Sequence, residues 1–388
     1  MLHRWDIEKE KRDLKQEVCE KNNNELGEKM EIVNKQYVGK KYFVREELNG
    51  ITVYNKITHM FEFYENIFIN DIKNITSDDE LEEYLSKYDS AKTKNIKSKY
   101  PFYIGWQLSN SCNLDCIYCF AEVTLHNKRC DDIVETANEI LKLNPICVGL
   151  SGGEPTLEPK LADIMRLFKD KTTAVLNTNG TTKNLEELIP VLKETNTFVR
   201  LTIDSTDNEV LNKLRPPRKM PEGGYNQIEI IKKHVKMLVD NDINFMIHTV
   251  MTQQNMKTIE KTGQDLIDMG VKRWHMYKVD CSLKCQSFFD DIKVSFDEMK
   301  KNHENLIKKY GDKIEITSAF NPVTGNRERA ILLVDSTGRF LVKDDQFEPV
   351  FIGKDPVHPT YEEIMTEMDY EKHKICYLKN LWTYLNEK

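Results

Sequence analysis

Absent from this chain is any uninterrupted run of about 18 apolar residues, the length that a membrane-crossing helix needs. Its opening, MLHRWDIEKEKRDLK, also lacks the apolar core of a secretory signal. A soluble, cytoplasmic protein without a membrane partner is therefore expected. A broad basic field is missing too: the net charge is -7 with both signs interspersed, which argues against nucleic acid as a partner. The nine cysteines are an odd number for a disulfide framework, and without an export signal they point to reduced thiols and metal binding.

The 388 residues present accommodate two or three units at roughly 100 to 200 residues each, or one α/β barrel of about 200 to 250 residues with extensions. Residues 1–38, dense in Glu, Lys and Asn, read as a helical or mobile arm in which Cys19 is an ordinary helix cysteine. From 39 to 98 the texture changes. The runs YFVREE, GITVYNK and HMFEFYE alternate with period two between turn-like Leu48-Asn49-Gly50 and Asn55-Lys56, which predicts a small antiparallel sheet. Ser77 followed by Glu80 predicts a capped helix to about Lys87, and lysine-rich AKTKNIKSKY a linker.

Residues 99–290 repeat a different unit. Apolar or β-branched runs at 102–108, 146–150, 173–177, 198–203, 244–251 and 273–278 alternate with helical stretches near 132–143, 159–169, 184–194, 226–241 and 257–269. Strands and helices of that spacing predict βα units on a parallel sheet, and six of them predict a partial (β/α)6 barrel. Residues 291–388 supply a helix over 296–309, a hairpin AILLVDSTGRFLV turning at Ser336-Thr337-Gly338, and a final helix, expected to cover the barrel's open side.

In such barrels the functional rim is the one at the C-terminal strand ends. Four unusual stretches fall there. SCNLDCIYC places Cys112, Cys116 and Cys119 in one loop, a set of soft thiolate ligands with one coordination position left open. A zinc site completed by Cys130 is the alternative. SGGEPT follows the next strand; Gly152 and Gly153 let the backbone come close to a ligand with their N–H groups available, and Glu154 can accept from an ammonium. NTNG and TIDS complete the rim.

CxxxCxxC with Tyr118 before its last cysteine, followed by GGEP after the next strand, resembles the radical S-adenosylmethionine (radical SAM) superfamily over roughly residues 100–280. The resemblance implies that Cys112, Cys116 and Cys119 ligate a [4Fe-4S] cluster whose fourth iron takes the amino and carboxylate groups of S-adenosylmethionine, with Glu154, Gly152 and Gly153 at the amino group. An electron from a flavodoxin- or ferredoxin-type reductant would then release a 5'-deoxyadenosyl radical that abstracts a substrate hydrogen. Thr178 and Asn179 match positions that meet the methionine carboxylate, and Asp204 and Ser205 those that meet the ribose hydroxyls. The Val250 backbone is expected near the adenine.

His248, on the same strand face as Val250, is either a satisfied interior histidine or a substrate base. Cys281 and Cys285, just past the sixth strand, are either structural or thiol hydrogen donors; with only Cys376 beyond them they do not make a complete auxiliary cluster. The basic stretch Lys213–Lys219 is either a solvated loop or a phosphate contact. Three readings follow. The N-terminal sheet weakly resembles the leader-recognition modules of ribosomal-peptide maturases, and an exposed edge strand can capture an extended peptide, so a precursor peptide is the expected substrate. A nucleotide or other small molecule is the second reading, and a non-catalytic zinc or iron-sulfur protein the third.

Overall fold

The computed structural model describes residues 36–90, 95–98, 100–119, 121, 132–222, 224–282, 284–318, 330–344 and 348–377. Most of the expected arm, with Cys19, lies outside these residues, as do Cys130 and the side chain of Cys376. The end of the arm is a strand: β1 (Gln36–Val38) pairs antiparallel with β2 (Tyr42–Glu47). β3 (Gly50–Asn55) and β4 (Met60–Glu65) continue the antiparallel sheet where the three alternating runs predict it.

Short α1 (Ile69–Ile72) and α2 (Asp78–Leu85) follow. Ser77 Oγ accepts from Glu80 N at 3.2 Å, as a cap should, but the Glu80 carboxylate reaches one residue further back, to Thr76 N at 2.8 Å. The period-two pattern splits the sheet's side chains into two packed faces. Tyr42, Val44, Ile51 and Val53 bury against Leu81 and Leu85 of α2, whereas Phe43, Tyr54, Phe61 and Phe63 face the remainder of the chain.

The second unit is built on β5 (Tyr103–Ser109), β6 (Cys147–Gly152), β7 (Thr173–Thr178), β8 (Phe198–Thr202), β9 (Phe245–Met251) and β10 (Arg273–Lys278). Each pairs parallel with the next in that order. Near-continuous apolar runs suit strands buried on both faces. Crossing between them are α3 (Ile133–Lys142), α4 (Leu161–Phe168), α5 (Asn184–Thr195), α6 (Asn208–Leu214), α7 (Gln227–Asp240) and α8 (Ile259–Asp268). Asp132 starts α3, its carboxylate accepting from Val134 N and Glu135 N, and Asn196 ends α5 in the left-handed region at φ 51°. On the inner side of α4, Ile164, Met165 and Phe168 are wholly buried, each such side chain contributing about 1.5–3 kcal/mol.

The sheet runs beyond the six expected strands. After α9 (Phe289–Ile292) and α10 (Phe296–Tyr310), β11 (Glu315–Ser318) adds parallel to β10. At the opposite edge β12 (Leu332–Val334) adds parallel to β5, and β13 (Phe340–Lys343) and β14 (Pro349–Phe351) continue antiparallel, making ten strands. The C-terminal hairpin therefore lengthens one edge of the half-barrel instead of lying across its open side. α11 (Tyr361–Glu367) and α12 (Tyr370–Tyr377) complete the tail. α12 reaches the barrel floor, where His373 stacks on Phe102 with ring centroids 5.8 Å apart.

Floor and N-terminal sheet share one apolar cluster, Phe43, Tyr54, Phe61 and Phe63 meeting Phe102, Val175, Phe198 and Met246. Wholly buried Arg45 of β2 fastens the junction. It donates to Asn144 O at 2.7 Å and Pro101 O at 2.9 Å, and its charge is met by Glu47 at 2.8 Å. Among the described residues no helix is long and apolar enough to cross a membrane.

Candidate active site

The cysteine loop leaves β5 at the C-terminal rim and is held from outside by the chain that follows α6. Asp115 N donates to Pro216 O at 2.7 Å, Ile117 N to Leu214 O at 2.9 Å, and Arg218 N to Asn113 O at 3.0 Å. The Arg218 guanidinium adds Leu114 O at 3.0 Å and the Asp115 carboxylate at 3.0 Å, and Lys284 meets the same carboxylate at 2.7 Å. The stretch expected as a solvated loop or phosphate contact is thus a clamp. Its Arg218 is spent on Asp115 and a loop carbonyl, its Lys213 pairs with Glu209 of α6, and its Arg215 is wholly buried.

Within the loop, Cys119 N donates to Cys116 O at 3.2 Å, a tight turn that keeps those thiols near each other. Cys112 Sγ accepts from Leu114 N at 3.4 Å and lies 3.9 Å from Asn179 Nδ2. Burial pushes the Cys112 thiol up to about 11 and the Cys116 thiol to about 12, and it raises Cys119 as well. Each lies within electrostatic reach of another cysteine of the set. Desolvated thiols of this kind ionise only when a bound cation compensates them. Among the described residues no three such side chains converge on a single ion, and a cluster with one thiolate per iron does not ask them to.

Gly152 and Gly153 serve an approach of chain to chain. At Gly152, φ is +125° and a Cβ would stand 2.4 Å from Ser109 O; at Gly153 it would stand 2.0 Å from Ser111 O. Their expected open N–H groups are partly used, because Gly153 N donates to Ser109 O at 2.9 Å and Glu154 N to Ser111 O at 2.7 Å. The glycines therefore lock the GGEP turn onto the start of the cysteine loop.

Glu154, expected to accept from an ammonium, is 1% exposed and already has four donors. Thr156 N at 3.1 Å, Thr156 Oγ1 at 2.6 Å and Thr178 Oγ1 at 2.7 Å reach one oxygen, and Asn179 N at 2.7 Å reaches the other. Burial raises its carboxyl, and these donors oppose the rise. Asn179 continues the web, its Nδ2 donating to Asn113 Oδ1 at 2.8 Å and its Oδ1 accepting from Thr181 N at 2.9 Å.

Asp204 is wholly buried where β8 ends. The Tyr118 hydroxyl donates to one oxygen, and Val250 N donates to the other at 2.8 Å. A ribose contact at Asp204 would have to displace Tyr118. Val250 O accepts from Asn255 Nδ2 at 2.8 Å, so an adenine at this position would meet the valine side chain, which like Ile117, Tyr118 and Phe288 packs against Val279, Cys285 and Ile292. Ser205 accepts from Asp207 N at 3.1 Å and bonds Thr258 Oγ1 at 3.0 Å, shaping the turn.

Sequence reasoning missed Arg215. Its guanidinium donates to Thr202 O at 2.6 Å and Asn179 O at 2.7 Å, while its buried Nε has no partner among the described residues. Cys116, Cys112, Tyr118 and Asp204 all feel its charge. The signal available was an arginine beside two prolines, which composition alone reads as a loop. Cys285 is buried between Val279 and Ile292, its thiol facing Asp280 O and Ser282 O at 3.8 and 3.6 Å, whereas Cys281 is exposed. His248 lies below the rim, with ring contacts to His275 and Tyr277 at 5.4 and 4.9 Å.

A half-barrel with a three-thiol loop and a GGEP turn on its C-terminal rim is the arrangement expected of a radical SAM domain. This chain carries one: residues 106–266 match the family model described as "Radical SAM superfamily", a superfamily of enzymes. An AdoMet-dependent heme synthase of Methanosarcina barkeri is 26% identical over 183 residues, 46% of this chain and 50% of the relative. The subtilosin biosynthesis protein AlbA of Bacillus subtilis is 27% identical over 187 residues, 46% of this chain and 40% of that protein. The match thus spans about half or less of these relatives. Among solved structures, Streptococcus suis SuiB bound to precursor peptide SuiA shares the fold with a TM-score of 0.60 at 14% identity, over 91% of this chain and 97% of that one.

Proposed function

We propose that this protein is a radical SAM enzyme that modifies a ribosomally made peptide. Cys112, Cys116 and Cys119 would each hold one iron of a [4Fe-4S] cluster, and S-adenosylmethionine would take the fourth. When bound, that pair supplies the one-electron chemistry that removes a hydrogen atom from the substrate. The chain's own residues bind, orient and exclude water. The observation that carries the reading is the clamped cysteine loop itself: three half-buried cysteines on a loop fastened by Gly152, Gly153, Asp115 and Arg218, beside a guanidinium with an unused N–H.

Arg215 is the residue suited to the methionine carboxylate. A buried cation with a free donor favours a carboxylate strongly, since charge-assisted hydrogen bonds are roughly twice as strong as neutral ones. Glu154, Thr178 and Asn179 hold the turn beside it, with Asn179 Nδ2 toward Cys112. Tyr118, Asp204 and Val250 fix the loop against β8 and β9, and Ile117 and Val250 offer an apolar wall to the adenine.

The peptide substrate is supported by the likeness to SuiB, which extends over 91% of this chain and whose complex holds a precursor peptide. β1 and β4 are the outer strands of that sheet, the kind of edge a peptide strand can join. A small-molecule substrate is the second reading, supported by the relation to a heme synthase. A flavodoxin- or ferredoxin-type protein is the expected electron donor. Anaerobic incubation with dithionite, S-adenosylmethionine and the precursor peptide encoded beside this protein tests the choice. The proposal expects a mass change in the peptide matched by 5'-deoxyadenosine; cofactor cleavage that is coupled to a small molecule and leaves every peptide unchanged would overturn it.

A further inference from the structure

Below the rim lies a second space, partly open to solvent, lined by residues that none of the roles above uses. It is bounded by the inner faces of β8, β9 and β10, the start of β11, and the hairpin tip joining β3 to β4. The tip inserts His59, at φ +59°, whose ring stacks on Phe198 at 5.0 Å and whose Nε2 accepts from the Arg200 guanidinium. His59 Nδ1 is turned to the Tyr54 hydroxyl. His248 lies two residues before Val250 on the same strand face, and Tyr277 is the cross-strand neighbour of Val250, so the space begins one strand step beneath the cofactor rim.

The lining is cationic. Arg200 and Arg273 face it, against a single carboxylate, Glu315, which is exposed, for a formal sum of 2 − 1 = +1 with the histidines neutral. Tyr103, which accepts from Arg200 Nη1 at 3.3 Å, Tyr54 and Tyr277 are phenols and His275 bonds Thr317 Oγ1 at 2.7 Å. Burial holds His248 and His59 well below the usual histidine range, and the Arg200 charge adds to that. His248 is 9% exposed, and its Nε2 has no partner among the described residues; Arg273 Nε has none either. Unused donors around a desolvated positive charge are completed by an anion.

We propose that this space is a subsite for a carboxylate of the substrate, gripped by Arg200 and Arg273. A monoanion matches the formal charge of +1, whereas a phosphate dianion would leave a negative charge buried. The carboxylate would sit level with Met246, four residues before Val250 on β9, and so fix how far the rest of the substrate reaches toward the cofactor rim. Only the word substrate rests on the radical SAM reading.

Calorimetric titration of the full chain with acetate tests the subsite. Ionic strength is held constant with chloride. Saturable acetate binding at neutral pH is expected. Arg200→Gln should weaken binding about ten-fold or more, with Arg273→Gln as a second variant because Arg200 also holds His59. Acetate binding no better than chloride, or binding unchanged in both arginine variants, overturns the proposal. Inorganic phosphate binding tighter than acetate overturns the carboxylate assignment. The titration reads binding alone, so a chain that binds acetate but never cleaves S-adenosylmethionine refutes the functional reading and leaves the subsite standing.

Discussion

Tyr118 and Asp204 meet hydroxyl to carboxylate beneath the cysteine loop, the tyrosine donating to Oδ2. The other oxygen accepts from Val250 N at 2.8 Å, so one buried carboxylate ties the loop to the ends of β8 and β9. Tyr118→Phe removes that donor and leaves the carboxylate underserved, at a cost of about 1–3 kcal/mol. The variant should melt earlier yet keep its iron after reconstitution, because all three cysteines remain. Iron loss together with an unchanged melting temperature would contradict this division of labour.

Gly153→Ala tests the approach of the GGEP turn to the loop. Its Cβ would stand 2.0 Å from Ser111 O, a backbone atom that cannot swing aside as a side-chain end can. The loop must shift, and reconstituted iron content should fall to less than half of wild type. Full iron loading would show that the close approach is dispensable.

Arg215→Gln keeps much of the side chain's length but removes the charge beside Cys112 and Cys116. Affinity for S-adenosylmethionine should drop about ten-fold or more, as expected when a buried charged partner is removed. The iron-sulfur absorption should persist. Equilibrium binding to the reconstituted protein reads the first quantity and the visible spectrum the second; wild-type affinity would remove Arg215 from the cofactor site.

His373 gives a pH signature. Its Nε2 accepts from Phe102 N at 2.9 Å and its Nδ1 donates to Ala330 O at 2.8 Å, and burial lowers it from 6.5 to about 4. Between those values the unfolded chain binds a proton that the folded chain refuses, so stability is lost as pH falls from 6.5 toward 4. The gap corresponds to roughly 3 kcal/mol. His248 and His59, also lowered, act in the same direction. Melting temperature should fall across that window, and His373→Gln should flatten part of the slope; an identical slope in the variant would contradict the assignment.

The sequence made the strands legible where apolar runs were continuous and the cysteine loop legible through its spacing. β11 was not, because a four-residue strand, Glu315–Ser318, follows a charged helix without a longer apolar run. Lys213–Lys219 misled for a different reason. Its partners Asn113 and Asp115 lie about a hundred residues earlier, and no local pattern announces a clamp. Glu154 and Asp204 stood out as acids on the correct rim, yet which groups they accept from depended on Thr156, Asn179, Tyr118 and Val250 arriving from separate strands. His59 was hidden at a hairpin tip whose insertion into the barrel floor only tertiary packing reveals.

The central claim is that Cys112, Cys116 and Cys119 carry the chemistry. Anaerobic incubation of reconstituted protein with S-adenosylmethionine and dithionite, followed by mass spectrometry of 5'-deoxyadenosine, tests it most directly. The account predicts that product from the wild-type chain and none above background from Cys116→Ala. Undiminished 5'-deoxyadenosine from the variant would contradict it.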